Sequence, residues 1–82
     1  MIIKSPYVTE KVTSMIDSND TLEFLVNIRS TKPEIKKALE ELYDVDVLAV
    51  RTMITSRGEK KAIVKLAGEG SANELATRLG LL

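Results

Sequence analysis

Basic side chains are the residues of this sequence whose type and spacing indicate a chemistry. Lys32, Lys36 and Lys37 fall close together, and more cations surround a later turn signal: Arg51, Arg57, Lys60 and Lys61. Lysine carries a point charge on a flexible stem and arginine carries a planar fork of donors, so both reach phosphate oxygens well. Taken singly, each is better explained as an ordinary surface residue. Their chemistry nevertheless suits contact with phosphate.

The sequence offers little equipment for catalysis. It has no histidine and no cysteine, which most nucleophilic, acid–base and metal-assisted mechanisms use. We interpret its carboxylate clusters, Glu40-Glu41 and Asp44 with Asp46, as solvated charges. The glycines lack the spacing of a phosphate-cradling loop. We therefore predict no enzyme activity, no catalytic residues, no metal and no cofactor.

Composition predicts one small domain over residues 1–82. A chain of this size buries only about 60 to 65% of its unfolded surface, so its stability should be marginal. The absence of cysteine excludes a disulfide framework and fits the cytoplasm. Apolar runs are too short for a membrane span or a signal peptide.

The net charge and the distribution of charge along the chain bear differently on RNA binding. Twelve basic residues match twelve acidic ones, whereas RNA-binding proteins usually carry a basic surplus. Residues 1–28 have two basic and four acidic side chains, residues 29–65 have nine and six, and residues 66–82 have one and two. The surplus in the middle supports a basic face only weakly.

The elements that position these charges begin with a short helix and a strand. Ser5-Pro6 and Thr9-Glu10 are alternative helix starts. Apolar residues then recur at helical spacing until residues 17–20 end the run; they are Val8, Val12, Met15 and Ile16. Over residues 22–29, one face carries Leu22, Phe24, Val26 and Ile28, and the other is mostly polar, with Leu25 among Glu23, Asn27 and Arg29. This period of two predicts a half-buried strand.

A capping box predicts the central helix. Thr31 and Glu34 have the T-x-x-E spacing, and Pro33 suits the first turn. The apolar stripe that follows consists of Ile35, Ala38, Leu39, Leu42 and Tyr43. The three lysines therefore fall largely outside the stripe, and Asp44 ends the helix.

The remaining sequence predicts a hairpin and a last helix. Residues 45–55 and 61–66 form its strands, and Gly58 can take the positive φ that the turn requires. Ser71 and Glu74 form a second capping box, the apolar face comprises Ala72, Leu75, Ala76 and Leu79, and Gly80 stops the helix. The element order predicts a split βαβ unit, with the last strand between the two that the central helix connects.

Three segments in this order resemble one family. They are residues 5–11 (SPYVTEK), 31–37 (TKPEIKK) and 58–64 (GEKKAIV). Together they resemble the large-subunit ribosomal protein twenty-three family in its short archaeal and eukaryotic form, over residues 3–79. The resemblance adds a first strand at residues 2–4. It implies an α+β fold, ferredoxin-like, with an antiparallel-rich four-stranded sheet and helices packed on it.

The resemblance also implies a function. Such a protein is a structural constituent of the large ribosomal subunit, in the cytoplasm, that binds ribosomal RNA near the polypeptide exit tunnel and contacts neighbouring ribosomal proteins. The residues carried over as RNA-binding are Lys4, Lys11, Arg29, Lys32, Lys36, Lys37, Arg51, Arg57, Lys60 and Lys61. Val8, Thr9 and Glu10 match a docking point for the signal recognition particle or other exit-site factors. Bacterial members have a long hairpin that reaches the tunnel, and the short turn here argues against a tunnel-lining role.

The few aromatic residues indicate how RNA would be recognised. Phe24 and Tyr43 are expected in the core, and Tyr7 is either a surface contact or a staple of the first helix. Without exposed aromatic pairs, recognition should be of RNA shape and phosphates rather than of stacked bases. On the residues alone, a ferredoxin-like regulatory or protein-interaction module remains the alternative, because this fold hosts many functions.

Overall fold

Four strands and three helices make up the computed structural model, which describes residues 1–81 and all of their side chains except those of Val12 and Asp17. The elements are β1 Ile3–Pro6, α1 Glu10–Asn19, β2 Thr21–Val26, α2 Lys32–Tyr43, β3 Val47–Ile54, β4 Lys60–Leu66 and α3 Ser71–Arg78. The α+β fold class is confirmed. Within residues 1–81, no helix has the length and apolar character to cross a membrane.

The sheet has the strand order β1-β2-β4-β3, and every neighbouring pair is antiparallel. β4 therefore lies between β2 and β3, which α2 connects, so the split βαβ arrangement is confirmed. The first strand implied by the resemblance is also present, shifted to Ile3–Pro6.

The core lies on one face of this sheet. β2 contributes Leu22, Phe24 and Val26, all 1% exposed, and β4 contributes Ala62, Val64 and Leu66. The three helices complete the same cluster with residues such as Ile16, Ile35, Leu39, Leu75 and Ala76. Because side chains alternate along a strand, the residues between these point to the opposite side. We call that side the open face; it carries Thr21, Glu23, Ala49, Arg51, Lys61, Ile63 and Lys65.

The start of α1 settles one of the alternatives left by the sequence. The helix begins at Glu10, directly after Thr9, so a start at Ser5-Pro6 is wrong. Pro6 instead pairs with Phe24 in the sheet, and Val8 lies outside the helix with 47% of its surface exposed. The helix ends within the predicted range, because Asp20 takes a positive φ of 50°. The predictions for the Val12 and Asp17 side chains fall outside the described residues.

β2 is shorter than predicted. It ends at Val26 because Asn27 begins a turn, in which its side-chain Oδ1 accepts a hydrogen bond from Arg29 N at 2.9 Å. Ile28 is consequently 53% exposed, so its assignment to the buried strand face is wrong.

α2 follows its capping box as predicted. Glu34 N donates to Thr31 Oγ1 at 3.3 Å, and Thr31 N donates to Glu34 Oε1 at 2.9 Å. Asp44 caps the other end with a φ of 54°. Tyr43 stacks on Phe24 with ring centroids 6.0 Å apart, which confirms both aromatic residues as part of the core. Leu42 was wrongly placed in the buried stripe: it is 61% exposed.

Several further boundaries differ from the sequence prediction: β3 ends at Ile54 rather than at residue 55, and β4 begins at Lys60 rather than at residue 61. β3 begins at Val47 rather than at residue 45. The capping box at Ser71 is also wrong, because Gly70 is the N-cap of α3 and makes no side-chain cap. Ser71 Oγ instead donates to Gly68 O at 2.7 Å. Gly80 ends the helix region with a φ of 76°, as predicted.

Candidate nucleic-acid interface

The first turns of α2 present lysines to solvent. The capping box fixes where the helix starts, and Ile35 and Leu39 then point into the core. Lys32, Lys36 and Lys37 are left exposed. Lys32 places a positive charge at the positive, N-terminal end of the helix dipole, which is unfavourable. Its charge therefore does not serve to stabilise the helix.

Lys32 and Lys36 also border a groove between α2 and the edge strand β3. The groove has a volume of about 370 Å³, and Leu48, Ala49 and Val50 form its other wall. Arg29 lies at the same end of α2, where it lines a smaller groove with Ser30 and Glu34. The start of α2 therefore gathers several of the predicted cations.

One acidic group lies among these cations with its charge held in place. Hydrogen bonds from Thr31 N and Thr31 Oγ1 lower the pKa of Glu34 below its usual value, and the charge of Lys60 lowers this pKa further. Glu34 is thus an ionised part of the helix cap.

The hairpin between β3 and β4 is as short as the sequence predicts. Gly58 N donates to Thr55 O at 2.9 Å, Thr55 N donates to Glu59 O at 2.7 Å, and Gly58 has the required positive φ of 79°. Thr55 Oγ1 accepts further bonds from Arg57 N and Glu59 N at 3.3 Å each. This network holds Arg57 exposed at the tip.

Lys60 and Lys61 differ from the other predicted cations, because both make contacts within the protein. Lys60 points toward the core side and donates to Ser30 O at 2.7 Å. Lys61 points to the open face, where its Nζ lies 3.0 Å from Glu23 Oε1 and 5.1 Å from the centroid of the Tyr7 ring. The contact with Glu23 is an ion pair without a hydrogen bond at Oε1. Tyr7 lies three residues before α1 begins, and its half-buried ring packs against Lys61.

The remaining predicted cations are spread over the surface. Lys4 is exposed on β1, Lys11 on α1 and Arg51 on the open face of β3. The structure therefore brings together the cations at the start of α2 and leaves the others on separate elements.

The predicted docking residues lie beside the hairpin tip. Val8 and Thr9 share a cleft of about 270 Å³ with Tyr7 and with turn residues that include Arg57 and Glu59. Glu10 is exposed at the first position of α1. No local pattern in the sequence predicts this neighbourhood, since the two segments lie far apart along the chain.

Comparison with known proteins identifies the family. The family model described as Ribosomal protein L23 matches residues 1–74. The chain belongs to the ribosomal protein L23 family. It is also 46% identical over 80 residues to the large ribosomal subunit protein uL23 of Methanothermobacter thermautotrophicus. The aligned region covers 98% of this chain and 93% of that protein.

Membership confirms the resemblance found in the three sequence segments. The family consists of structural components of the large ribosomal subunit rather than of enzymes, and it is located in the ribosome, in the cytoplasm. Ribosomal RNA and other ribosomal proteins are therefore the partners of this chain. Membership favours this assignment over the alternative, a regulatory or protein-interaction module of the same fold.

Proposed function

We propose that this protein binds large-subunit ribosomal RNA near the polypeptide exit tunnel, mainly through phosphate contacts. The observation that carries the proposal is the exposed group Lys32, Lys36 and Lys37 at the start of α2. Among the side chains that the structure describes, none forms an ion pair with these three lysines. Their charges are therefore available to neutralise phosphates.

The proposed surface also includes the other predicted RNA-binding cations that the fold leaves exposed: Lys4, Lys11, Arg29, Arg51 and Arg57. Lys60 and Lys61 were also predicted as RNA contacts, but their ammonium groups are engaged with Ser30 O and Glu23. We assign these two to the fold.

The proposed recognition uses RNA shape and phosphates. Base stacking needs exposed aromatic rings. Phe24 is 1% exposed, Tyr43 stacks on it, and Lys61 lies over the ring of Tyr7. The aromatic residues of this chain are thus occupied within the protein.

Charge reversal of Lys36 and Lys37 tests the proposal. The double variant Lys36→Glu with Lys37→Glu should bind a transcript of large-subunit ribosomal RNA more weakly, with a salt slope reduced by about 1.8, or 0.9 for each lost phosphate contact. Thermal unfolding should change little. Both residues are exposed. Each new glutamate lies four residues before Glu40 or Glu41 on the helix, and this repulsion costs about 0.2–0.5 kcal/mol for each pair.

The matched control is Lys36→Arg with Lys37→Arg, which keeps both charges and should keep the affinity. Unchanged RNA binding by the Glu variant would refute the role of α2. Unfolding of that variant would show instead that the two lysines are structural.

We further propose that Val8, Thr9 and Glu10 form a docking point for the signal recognition particle or another exit-site factor. The exposure of Val8 supports this, because an apolar side chain 47% exposed beside the carboxylate of Glu10 provides both an apolar and a charged contact. The test is partner affinity on assembled ribosomes that carry Glu10→Gln.

A further inference from the structure

The edge strand β3 pairs irregularly with β4 at one position. Its pairing with β4 shifts register between Val47 and Ala49, which marks a bulge at Leu48. Val47 faces the core at 4% exposure, Leu48 projects outward at 62% exposure, and Ala49 lies on the open face. Because β3 is the last strand in the sheet order, its outer edge pairs with no other strand of residues 1–81.

The open face has a cleft beside this bulge. It measures about 200 Å³ and is lined by Thr21, Ala49, Arg51, Ile63 and Lys65. The register places Ala49 opposite Lys65 and Arg51 opposite Ile63. The small side chain of Ala49 thus leaves space between two long basic ones.

The residues that line this cleft carry only positive charge. None of its lining residues is acidic. Glu23, which pairs with Ile63 across β2 and β4, already has Lys61 as its counter-ion. Arg51 and Lys65 are exposed, and within the described part of the chain neither forms an ion pair. The cleft therefore suits an anionic ligand.

The cleft continues around the edge of the sheet. Ala49 lines both this cleft and the groove that Lys32 and Lys36 border. The two depressions meet at Ala49, next to the exposed Leu48. They form one surface with four basic residues along it, two on each side of the edge: Lys32 and Lys36, then Arg51 and Lys65.

We propose that the backbone of ribosomal RNA follows this surface, from the start of α2, over the β3 edge at Leu48 and Ala49, and onto the open face. Arg51 and Lys65 contact phosphates there. The inference rests on the proposed RNA-binding function, and it adds Lys65 and Ala49 to the interface. A ligand with charge repeated along its length matches cations distributed over two faces, and the outward backbone N–H groups of an edge strand are further donors to phosphate.

The test uses the full chain and a transcript of large-subunit ribosomal RNA. The variant Arg51→Gln with Lys65→Gln should lower the affinity and reduce the salt slope by about 1.8, for two lost phosphate contacts. Ala49→Leu should also weaken binding, because it fills the cleft without changing the charge. A thermal melt of each variant shows whether it is folded. If the Arg51, Lys65 variant does not fold, Ala49→Leu still tests the proposal.

The Lys36→Glu, Lys37→Glu variant is measured in parallel. If it loses affinity while the Arg51, Lys65 and Ala49 variants bind like the unchanged protein, the path over the edge is wrong and the proposed function stands. If the unchanged protein does not bind the transcript, both are wrong. A third outcome would also refute the RNA path over β3: large subunits that carry Leu48→Asp lose a neighbouring protein, while the Arg51, Lys65 variant binds RNA normally. The outer edge of β3 would then be a docking site for a protein strand.

Discussion

Replacing Lys61 with methionine should destabilise this protein strongly. The Glu23 side chain is 6% exposed and that of Lys61 is 17% exposed, with Nζ 3.0 Å from Oε1. Oε1 accepts no hydrogen bond from any group that the structure describes. Methionine keeps most of the length of the side chain but leaves the carboxylate buried without a counter-charge.

The expected loss is large for a domain of this size. Removing one partner of a buried ion pair costs about 3–5 kcal/mol. Because part of the Lys61 side chain reaches solvent, the lower end applies, about 3 kcal/mol. Small domains lose about 4–8 °C in Tm per kcal/mol. The variant should therefore unfold about 12–24 °C below the unchanged protein in a circular dichroism melt.

Two further variants make the result specific to the ion pair. The control variant Lys65→Met changes an exposed residue four positions further along the same strand, on the same face; its stability should change by less than about 0.5 kcal/mol. Glu23→Leu combined with Lys61→Met should recover most of the loss, because an apolar pair can replace a buried ion pair. A Tm of Lys61→Met equal to that of the unchanged protein would refute the reasoning.

The stable double variant also decides the assignment of Lys61. If Lys61 belongs to the fold, the double variant binds ribosomal RNA with unchanged affinity. A loss of affinity in this stable protein would instead support the sequence prediction that Lys61 contacts RNA.

Two other predictions concern the charges at the helix starts. Since hydrogen bonds and Lys60 lower the pKa of Glu34, its ionised form stabilises the fold above the ordinary glutamate pKa of about 4.3, and this contribution disappears as pH falls through the lower, folded-state value. The Tm advantage over Glu34→Gln should therefore be present at neutral pH and vanish in acid; a difference independent of pH would contradict it. Ribosomes carrying Glu10→Gln should assemble normally, since a first-turn carboxylate contributes only about 0.3–1 kcal/mol to helix stability. They should bind the signal recognition particle less tightly. Unchanged affinity on purified ribosomes would show that Glu10 is only a favourable charge at the helix start.

Local signals explain what the sequence predicted well. The Thr31 and Glu34 side chains cap the helix with groups only three residues apart, and Gly58 supplies a backbone conformation that its own turn requires. The position of the α2 lysines follows directly from this cap. Phe24 and Tyr43 were recognised because each lies in a clear apolar pattern.

Errors arose where exposure depends on distant parts of the chain. Pro6 suits a helix start, but pairing with Phe24 holds it in a strand. Leu42 continues the helical apolar stripe, but it emerges into a shallow groove that Met1 and Ile2 only partly cover. Such outcomes depend on tertiary packing rather than on the helical period.

The same limit applies to the candidate interface. In the sequence, Lys61 looks like another basic residue of the hairpin. Its counter-ion Glu23 lies 38 positions earlier, on a different strand. Arg51 and Lys65 come together only through the register of β3 with β4 and the bulge at Leu48. Sequence spacing gives neither relation.

The salt dependence of RNA binding by the unchanged protein tests the central proposal most directly. Affinity for large-subunit ribosomal RNA should fall linearly on logarithmic axes as salt rises, by about 0.9 per duplex phosphate neutralised, or about 4.5 for five contacts. The same protein should prefer this RNA over an unrelated RNA of equal length at each salt concentration. Equal affinity at low and moderate salt, or no preference between the two RNAs, would contradict the proposal that this ribosomal protein binds its RNA through exposed cations.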